Sequence, residues 1–173
     1  MKNEGQLNLL IRRCLITITT MIITGCGPGI IENSSVISDE SEIFNTDENR
    51  DIVSLIETYQ QALEDKDVGT LQRYISNDYY ENAGTTQTTQ DDYGFSGLND
   101  VFNLFGENVR QINVHVSIRD IQIDGNLANV YLDYSYNMLY VIDGQERWQV
   151  DSDINRIELV LEPDNQWRFI HGL

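Results

Sequence analysis

The spacing of apolar residues along the chain changes from a helical period to a strand period near residue 110. In the first half, an i, i+3, i+4, i+7, i+11 pattern predicts an amphipathic helix from Asp51 onwards, with apolar positions at Ile52, Leu55, Ile56, Tyr59 and Leu63. Asp67 is a predicted N-cap for a second, short helix, and Ser96 for a third. The first half therefore predicts three helices.

The second half alternates between apolar and polar residues, which is typical of strands. The alternation that begins at Ile112 slips near Arg119-Asp120, and this slip predicts a β-bulge. Turns are predicted at Asp124-Gly125-Asn126, Asp143-Gly144 and Pro163-Asp164-Asn165. A second slip is predicted between Ile154 and Ile157. The second half therefore predicts four strands connected in series.

Three helices followed by a four-stranded antiparallel meander predict an α+β fold. Helices of this number cover only one face of the sheet, and long strands with bulges curl, so we expect a cone with one open mouth. The aromatic residues expected to share the covered face are Tyr134, Tyr136, Tyr140 and Trp148. They form either core packing or the walls of a pocket with phenol and indole hydrogen-bonding groups.

The first 25 residues have the pattern of a secretory signal peptide. Lys2, Arg12 and Arg13 precede the apolar run Cys14–Thr24, and "GCGPG" follows it. A helix over that run would be about 16 Å long against a hydrocarbon core of roughly 30 Å, so it is too short to span a membrane. We therefore predict a signal peptide over residues 1–25 and no spanning helix there.

Four residues at the end of this segment, Ile23-Thr24-Gly25-Cys26, resemble the lipobox of bacterial lipoproteins. The resemblance implies that Cys26 begins the mature chain and carries lipid, which anchors stably when several acyl chains are present. It also implies an extracytoplasmic location in the cell envelope, at the outer membrane if there are two membranes. The alternative is an ordinary signal peptide. Residues 26–50 are rich in Ser, Asn, Asp and Glu and predict a largely disordered acidic tether, with docking of Ile30, Ile31, Ile43 and Phe44 as the alternative for its apolar residues.

The charge balance makes nucleic acid an unexpected partner. The chain has 11 basic and 28 acidic side chains, for a net charge of −17, and such an anion is repelled by phosphate backbones. Its two cysteines, Cys14 and Cys26, both lie in the first 26 residues, so no thiolate metal site is expected beyond them. We expect neither a metal nor another cofactor.

Residues 51–173 resemble the NTF2-like superfamily, also called the SnoaL-like or cystatin-like cone fold. The segments that carry the resemblance occur in the expected order: "YQQALEDKD", "LQRYISNDY", "GLNDVFNLF" and "LEPDNQWRFIHG". The superfamily includes isomerases, dehydratases, cyclases and non-catalytic binders. The fold it implies therefore does not by itself assign a function.

The resemblance places Tyr59 where steroid-isomerase relatives carry a helix tyrosine that donates to a developing oxyanion. Those relatives also need a carboxylate base. No Asp stands where their pattern expects one, Glu81 is the nearest carboxylate, and Asp153 lies near the position of a second acid in some relatives. Tyr59, Glu81 and Asp153 are therefore weak catalytic candidates.

The sequence leaves three hypotheses open. The first is a lipid-anchored domain without catalytic activity that binds a small amphipathic ligand or an envelope protein, with ligand contacts from Tyr59, Tyr134, Tyr136, Trp148 and His171. The alternative is an isomerase- or dehydratase-type enzyme that uses Tyr59 with a carboxylate. The third is a structural subunit that docks through the uncovered face of the sheet, and the resemblance implies that a homodimer could form in this way.

Overall fold

Side-chain caps determine where the first two helices begin. The computed structural model describes residues 29–31, 34–82 and 92–173, and within them the helices are α1 (Asp47–Asp65), α2 (Val68–Arg73) and α3 (Phe95–Asn108). Thr46 Oγ1 accepts a hydrogen bond from the Asn49 amide at 3.2 Å, and Asp67 accepts one from the Thr70 amide at 3.1 Å. The predicted cap Asp67 is confirmed, whereas α3 follows Gly94 without a side-chain cap.

The strands form one large and one small antiparallel sheet. The small sheet pairs β1 (Tyr80–Glu81) with β2 (Tyr93–Gly94). The large sheet contains β3 (Val109–Asp124), β4 (Leu127–Ile142), β5 (Gln145–Leu161) and β6 (Trp167–His171), in the spatial order β3-β4-β5-β6. This is the predicted meander.

The register of the large sheet confirms one predicted slip and refutes the other. The pairing of β3 with β4 shifts between Ile118 and Asp120, as predicted. The pairing of β4 with β5 continues without a shift from Leu127↔Val160 to Ile142↔Gln145, so the slip predicted after Ile154 is wrong. Because the register is unbroken, even-numbered and odd-numbered residues of β5 face opposite sides along this whole ladder.

The core lies between α1 and one face of the large sheet, which we call the inner face. Ile52 and Ile56 of α1 are fully or almost fully buried. They belong to one cluster with fully or almost fully buried sheet residues, namely Ile118, Val130, Leu159 and Phe169. An apolar helix face against one side of an antiparallel sheet is the predicted α+β architecture, which is confirmed.

The segment before α1 is not a free tether. Val36 and Ile43 are 1% and 4% exposed and belong to the core. The Ser38 amide donates to the Ile118 carbonyl at 3.0 Å, and the Ile118 amide donates to the Val36 carbonyl at 2.6 Å, so the segment pairs with the free edge of β3 at Ile118. The prediction of a disordered tether is therefore wrong for residues 34–50. Isolated apolar residues in a polar run have no periodicity, and only the sheet edge explains why they are ordered.

The predictions for the amino terminus concern another part of the chain. The predicted signal peptide, residues 1–25, and Cys26 lie outside the described residues. Among the helices of residues 29–31, 34–82 and 92–173, none combines the length and the hydropathy that crossing a membrane requires.

We predict that Ile43→Ala lowers the free energy of unfolding by about 2–5 kcal/mol, because it leaves a cavity in the core. Phe44 is the matched control, since its side chain is 57% exposed, and Phe44→Ala should change stability by less than about 0.5 kcal/mol. Urea unfolding followed by circular dichroism measures both values. Equal, small effects of the two substitutions would mean that the segment does not pack in solution.

Candidate functional site

An apolar cavity of about 330 Å³ lies between α1, α3 and the inner face of the large sheet. Its walls are mainly aliphatic and aromatic, and they contain Ile56, Tyr59, Leu63, Phe105, Ile112, Val114, Val116, Leu132, Tyr134, Tyr136, Met138, Asn155, Ile157, Gly172 and Leu173. The side-chain polar groups of this lining are three phenols and one amide. An apolar concavity with a few polar groups is typical of a small-molecule site, and this volume is at the small end of the range.

Tyr59 is the polar group that α1 contributes to the cavity. Its ring packs against Phe169 with centroids 4.7 Å apart and planes at 53°. Burial raises the pKa of Tyr59 well above its ordinary value, and Tyr93 adds to the effect. Among the described residues we find no hydrogen-bond partner for the Tyr59 hydroxyl. Tyr59 therefore presents a neutral hydroxyl donor that a bound molecule could use.

Tyr134 and Tyr136 come from alternate positions of β4 and form one wall. Their rings are parallel within 2°, with centroids 6.4 Å apart. Gln149 Nε2 donates to the Tyr136 hydroxyl at 2.8 Å. Burial is the main cause that raises the pKa of both phenols, with Asp153 contributing at Tyr134 and Asp151 at both. These two predicted ligand contacts therefore lie on the cavity, beside two carboxylates.

Glu81 lies outside the lining of the cavity. Its Oε2 accepts from the Gly172 amide at 3.0 Å and from the Tyr79 hydroxyl at 3.4 Å, and its Oε1 accepts from the Asn82 amide at 3.0 Å. The carboxylate thus ties the residues after β6 to β1. The structure does not bring Glu81 and Tyr59 together, since no hydrogen bond joins them and Glu81 does not line the cavity.

Asp153, the other candidate acid, sits at the rim. It pairs directly with Tyr134 across the β4–β5 ladder, so both side chains are on the inner face. Asp153 is solvent-exposed and does not line the cavity. A general base must reach the proton that it abstracts, and neither Asp153 nor Glu81 shares a hydrogen bond with Tyr59 in the described residues.

Trp148 is not a wall of the cavity, which corrects the prediction. It pairs with Leu139 on the opposite, outer face and is 60% exposed. The prediction failed because a register slip between Ile154 and Ile157 was expected to place Trp148 on the inner face together with Ile157. With an unbroken register, the even-numbered residues Trp148, Val150 and Ile154 all point outward.

His171 is also absent from the lining of the cavity, contrary to prediction. The β5–β6 register shifts between Leu159↔Phe169 and Glu158↔His171, so His171 leaves the inner face that Phe169 occupies. Its Nδ1 lies 2.7 Å from the Tyr80 carbonyl oxygen and 3.7 Å from Glu81 Oε2. The bulge is the physical reason that the alternation in the sequence misplaced this residue.

Two residues that the sequence analysis did not single out, Asn155 and Gly172, also line the cavity. Asn155 Nδ2 donates to the Gly172 carbonyl at 2.7 Å. Gly172 has φ +90°, and a Cβ there would collide with the Arg156 carbonyl oxygen, so the close approach requires glycine. A signal for Asn155 existed, because it is a polar residue in the same alternation as Ile157 and Leu159.

The outer face carries an exposed apolar row. Val150 and Ile154 are 77% and 62% exposed and share this face with Trp148 and Leu139. His115 pairs with Ser135 on the same face and is exposed. The homodimer expected through the outer face stays a prediction.

Comparisons with known proteins identify the fold. No family model matches the chain, and no curated protein matches its sequence. Solved structures do match: an NTF2-like superfamily protein from Salmonella enterica has a TM-score of 0.57 and 17% identity, over 71% of this chain and 86% of that one. A scytalone dehydratase-like protein from Novosphingobium aromaticivorans has a TM-score of 0.60 and 18% identity, over 72% and 80%.

A third similar structure is a ketosteroid isomerase-like protein from Erwinia carotovora atroseptica. Its TM-score is 0.57 and its identity 15%, over 75% of this chain and 95% of that one. At such identities the likeness is one of fold, and the activities of these proteins do not transfer with it. The described helices and sheet therefore correspond in architecture to these solved structures.

We predict that Tyr59 stays protonated at a pH at which an exposed phenol, with a pKa of about 10, has largely ionised. Because the folded-state pKa is raised, the stabilising effect of this burial is present below pH about 10 and is lost as the pH rises further. Absorbance at 295 nm measures ionised tyrosine. In a pH titration, the increase in this absorbance up to pH about 10.5 should therefore be the same for the wild type and for Tyr59→Phe.

Denaturant provides the control for this titration. All nine tyrosines of the unfolded chain are exposed, so Tyr59→Phe should lower the unfolded amplitude by about one ninth. A similar loss in the folded protein below pH about 10.5 would show that Tyr59 is not buried.

Proposed function

We propose that this chain, whose fold is NTF2-like, binds a small amphipathic molecule in its cavity and does not catalyse a reaction. We further propose that lipid on Cys26 holds it on the extracytoplasmic side of a membrane. The cavity carries the first part of the proposal, and the lipobox-like segment carries the second.

The single observation that supports binding is an apolar cavity lined by a tyrosine hydroxyl that has no hydrogen-bond partner among the described residues. The cavity holds about 330 Å³ and is lined by Tyr59. A ligand gains free energy there from burial of apolar surface, about 25 cal/mol per Å² before the costs of association. One hydrogen bond from Tyr59 would then orient a polar end of that ligand.

The positions of the carboxylates favour binding over catalysis. Two oxygens of Glu81 are already occupied by backbone amides, and Asp153 lies outside the lining of the cavity. An isomerase- or dehydratase-type enzyme, the class to which two of the similar structures are likened by name, would need a carboxylate near the Tyr59 hydroxyl. Neither acid takes that position.

The anchor would hold the domain close to the membrane surface. Gly29, only three residues after Cys26, already accepts a hydrogen bond from the Asn45 amide at 2.5 Å. Three residues span at most about 11 Å. A lipid on Cys26 would therefore keep the folded domain against the headgroups instead of releasing it on a long tether.

We predict that Val114→Trp removes binding of a co-purifying ligand, because the indole would fill the cavity that Val114 lines. Native mass spectrometry of protein purified without denaturation measures the bound fraction. Overpacking should cost about 1–3 kcal/mol of stability, so unfolding is measured in parallel.

Val150→Trp is the matched control, since Val150 is 77% exposed on the outer face. It should leave the bound fraction unchanged. An empty wild-type protein, or a ligand that remains bound to a folded Val114→Trp variant, would contradict the proposed site.

We predict that Cys26→Ser moves the protein from the detergent phase to the aqueous phase in Triton X-114 partitioning of expressing cells. Several buried acyl chains contribute about 0.8 kcal/mol per CH₂, and serine offers no sulfur for their attachment. Intact mass spectrometry checks the lipid directly. Cys14→Ser is the control and should remain in the detergent phase; equal partitioning of all three proteins would refute the anchor.

A further inference from the structure

We propose that the ligand of the cavity is an organic cation, with an apolar body inside the cavity and a positively charged head at the rim beside Asp151 and Asp153. This inference rests on the proposed function, because it assigns a chemical class to the molecule bound at the same site.

The register of the sheet fixes where these carboxylates lie. Asp151 pairs directly with Tyr136, and Asp153 pairs directly with Tyr134. Directly opposed residues of antiparallel strands share a face, with Cβ atoms about 4.5–5.5 Å apart. Since both tyrosines line the cavity, both carboxylates stand on its side of the sheet, one strand farther out.

No basic side chain of the described residues neutralises this pair. Asp151 Oδ1 accepts from the Ser152 amide and Asp153 Oδ1 accepts from the Ile154 amide, each at 2.8 Å. Neither carboxylate takes part in an ion pair with another described residue. By contrast, Asp133 on the outer face is paired with Arg119 at 2.5 Å.

The lining of the cavity adds no positive charge. The described residues that line it include no Lys, Arg or His. On the inner face of β5, the nearest basic residue towards the turn is Arg147, four positions from Asp151, or about 13 Å along an extended strand. The electrostatic potential at the rim is therefore set by two carboxylates and opposes an anionic head group.

The phenol rings next to the carboxylates add a second attraction for a cation. A cation within about 6 Å of a ring centroid is drawn to the face of the ring. Tyr134 and Tyr136 both line the cavity, and their parallel rings stack with centroids 6.4 Å apart. Burial is the main cause that raises the pKa of the Tyr134 hydroxyl, and Asp153 and Asp151 add to it through space. The same fields would favour an ammonium group.

Three probes that share a phenylalkyl group and differ in the charge of the head group test the inference. They are 3-phenylpropylammonium, 3-phenylpropan-1-ol and 3-phenylpropanoate. Isothermal titration calorimetry at low ionic strength measures their affinities for the full-length protein. We expect the ammonium compound to bind about tenfold more tightly than the alcohol, and the carboxylate to bind most weakly. Added salt should reduce the difference, because the carboxylates are exposed at the rim.

The double variant Asp151→Asn, Asp153→Asn should abolish the preference for the ammonium head while retaining binding of the alcohol. The control is Asp39→Asn, Asp124→Asn, which changes the net charge equally at exposed positions outside the cavity lining. This control should keep the preference. If it loses the preference equally, the effect comes from the overall charge of the chain and the inference is wrong.

The outcomes separate this inference from the proposed function. Equal binding of all three probes, removed by Val114→Trp, would refute the cationic class and leave the binding function in place. Tightest binding of 3-phenylpropanoate would refute it too. If none of the probes binds, both the cationic class and the proposed site for ligands of this size are refuted.

Discussion

Burial of α1 against the inner face of the large sheet is the interaction on which the rest of the structure depends. Ile52 and Ile56 of this helix are almost completely removed from water, as are Leu159 and Phe169 opposite them. The apolar side chains of one helix and one sheet face thus meet, and burial of each contributes about 1.5–3 kcal/mol. The cavity exists only because this contact holds the helix at a fixed distance from the strands.

The helices are too short to cover the sheet, and this mismatch creates the site. α1 has 19 residues, or about 28 Å at 1.5 Å per residue. β4 and β5 have 16 and 17 residues, or more than about 50 Å each. The hairpin therefore extends beyond the helix. The part of the hairpin that α1 covers belongs to the core, and the part next to the end of α1 lines the cavity. The part of the hairpin beyond the helix carries the exposed carboxylates and the outer apolar row.

The segment before α1 links the fold to the proposed anchor. Its hydrogen bonds to Ile118 satisfy an edge of β3 that would otherwise be open to pairing with another chain. Because this segment is packed, the domain begins almost directly after Cys26. The same interaction thus protects part of a sheet edge and holds in place the segment that follows the proposed lipidation site in the sequence.

The sequence alone was enough to predict the features that depend on a regular spacing of residues, namely the helix and strand faces. The spacing of Ile52, Leu55 and Ile56 was enough to identify α1, and the alternation through Tyr134 and Tyr136 placed both phenols on the inner face. These predictions were correct because the side of an element on which a residue lies is set locally, by a period of 3.6 residues in a helix and 2 residues in a strand. The helix position of Tyr59 came from the same pattern together with the family resemblance.

Only the tertiary structure determined the registers of the paired strands and the packing and hydrogen-bond partners of individual residues. Trp148 was misplaced because the β4–β5 pairing lacks the predicted register shift, and His171 was misplaced because the β5–β6 pairing contains a shift. Both features are determined by strand pairing. The packing of Val36 and Ile43, and the engagement of Glu81 by the Gly172 amide, depend on segments distant in the sequence. A period identifies the side of an element on which a residue lies. It carries no information about which distant backbone group meets that residue, because the fold of the whole chain brings the two together.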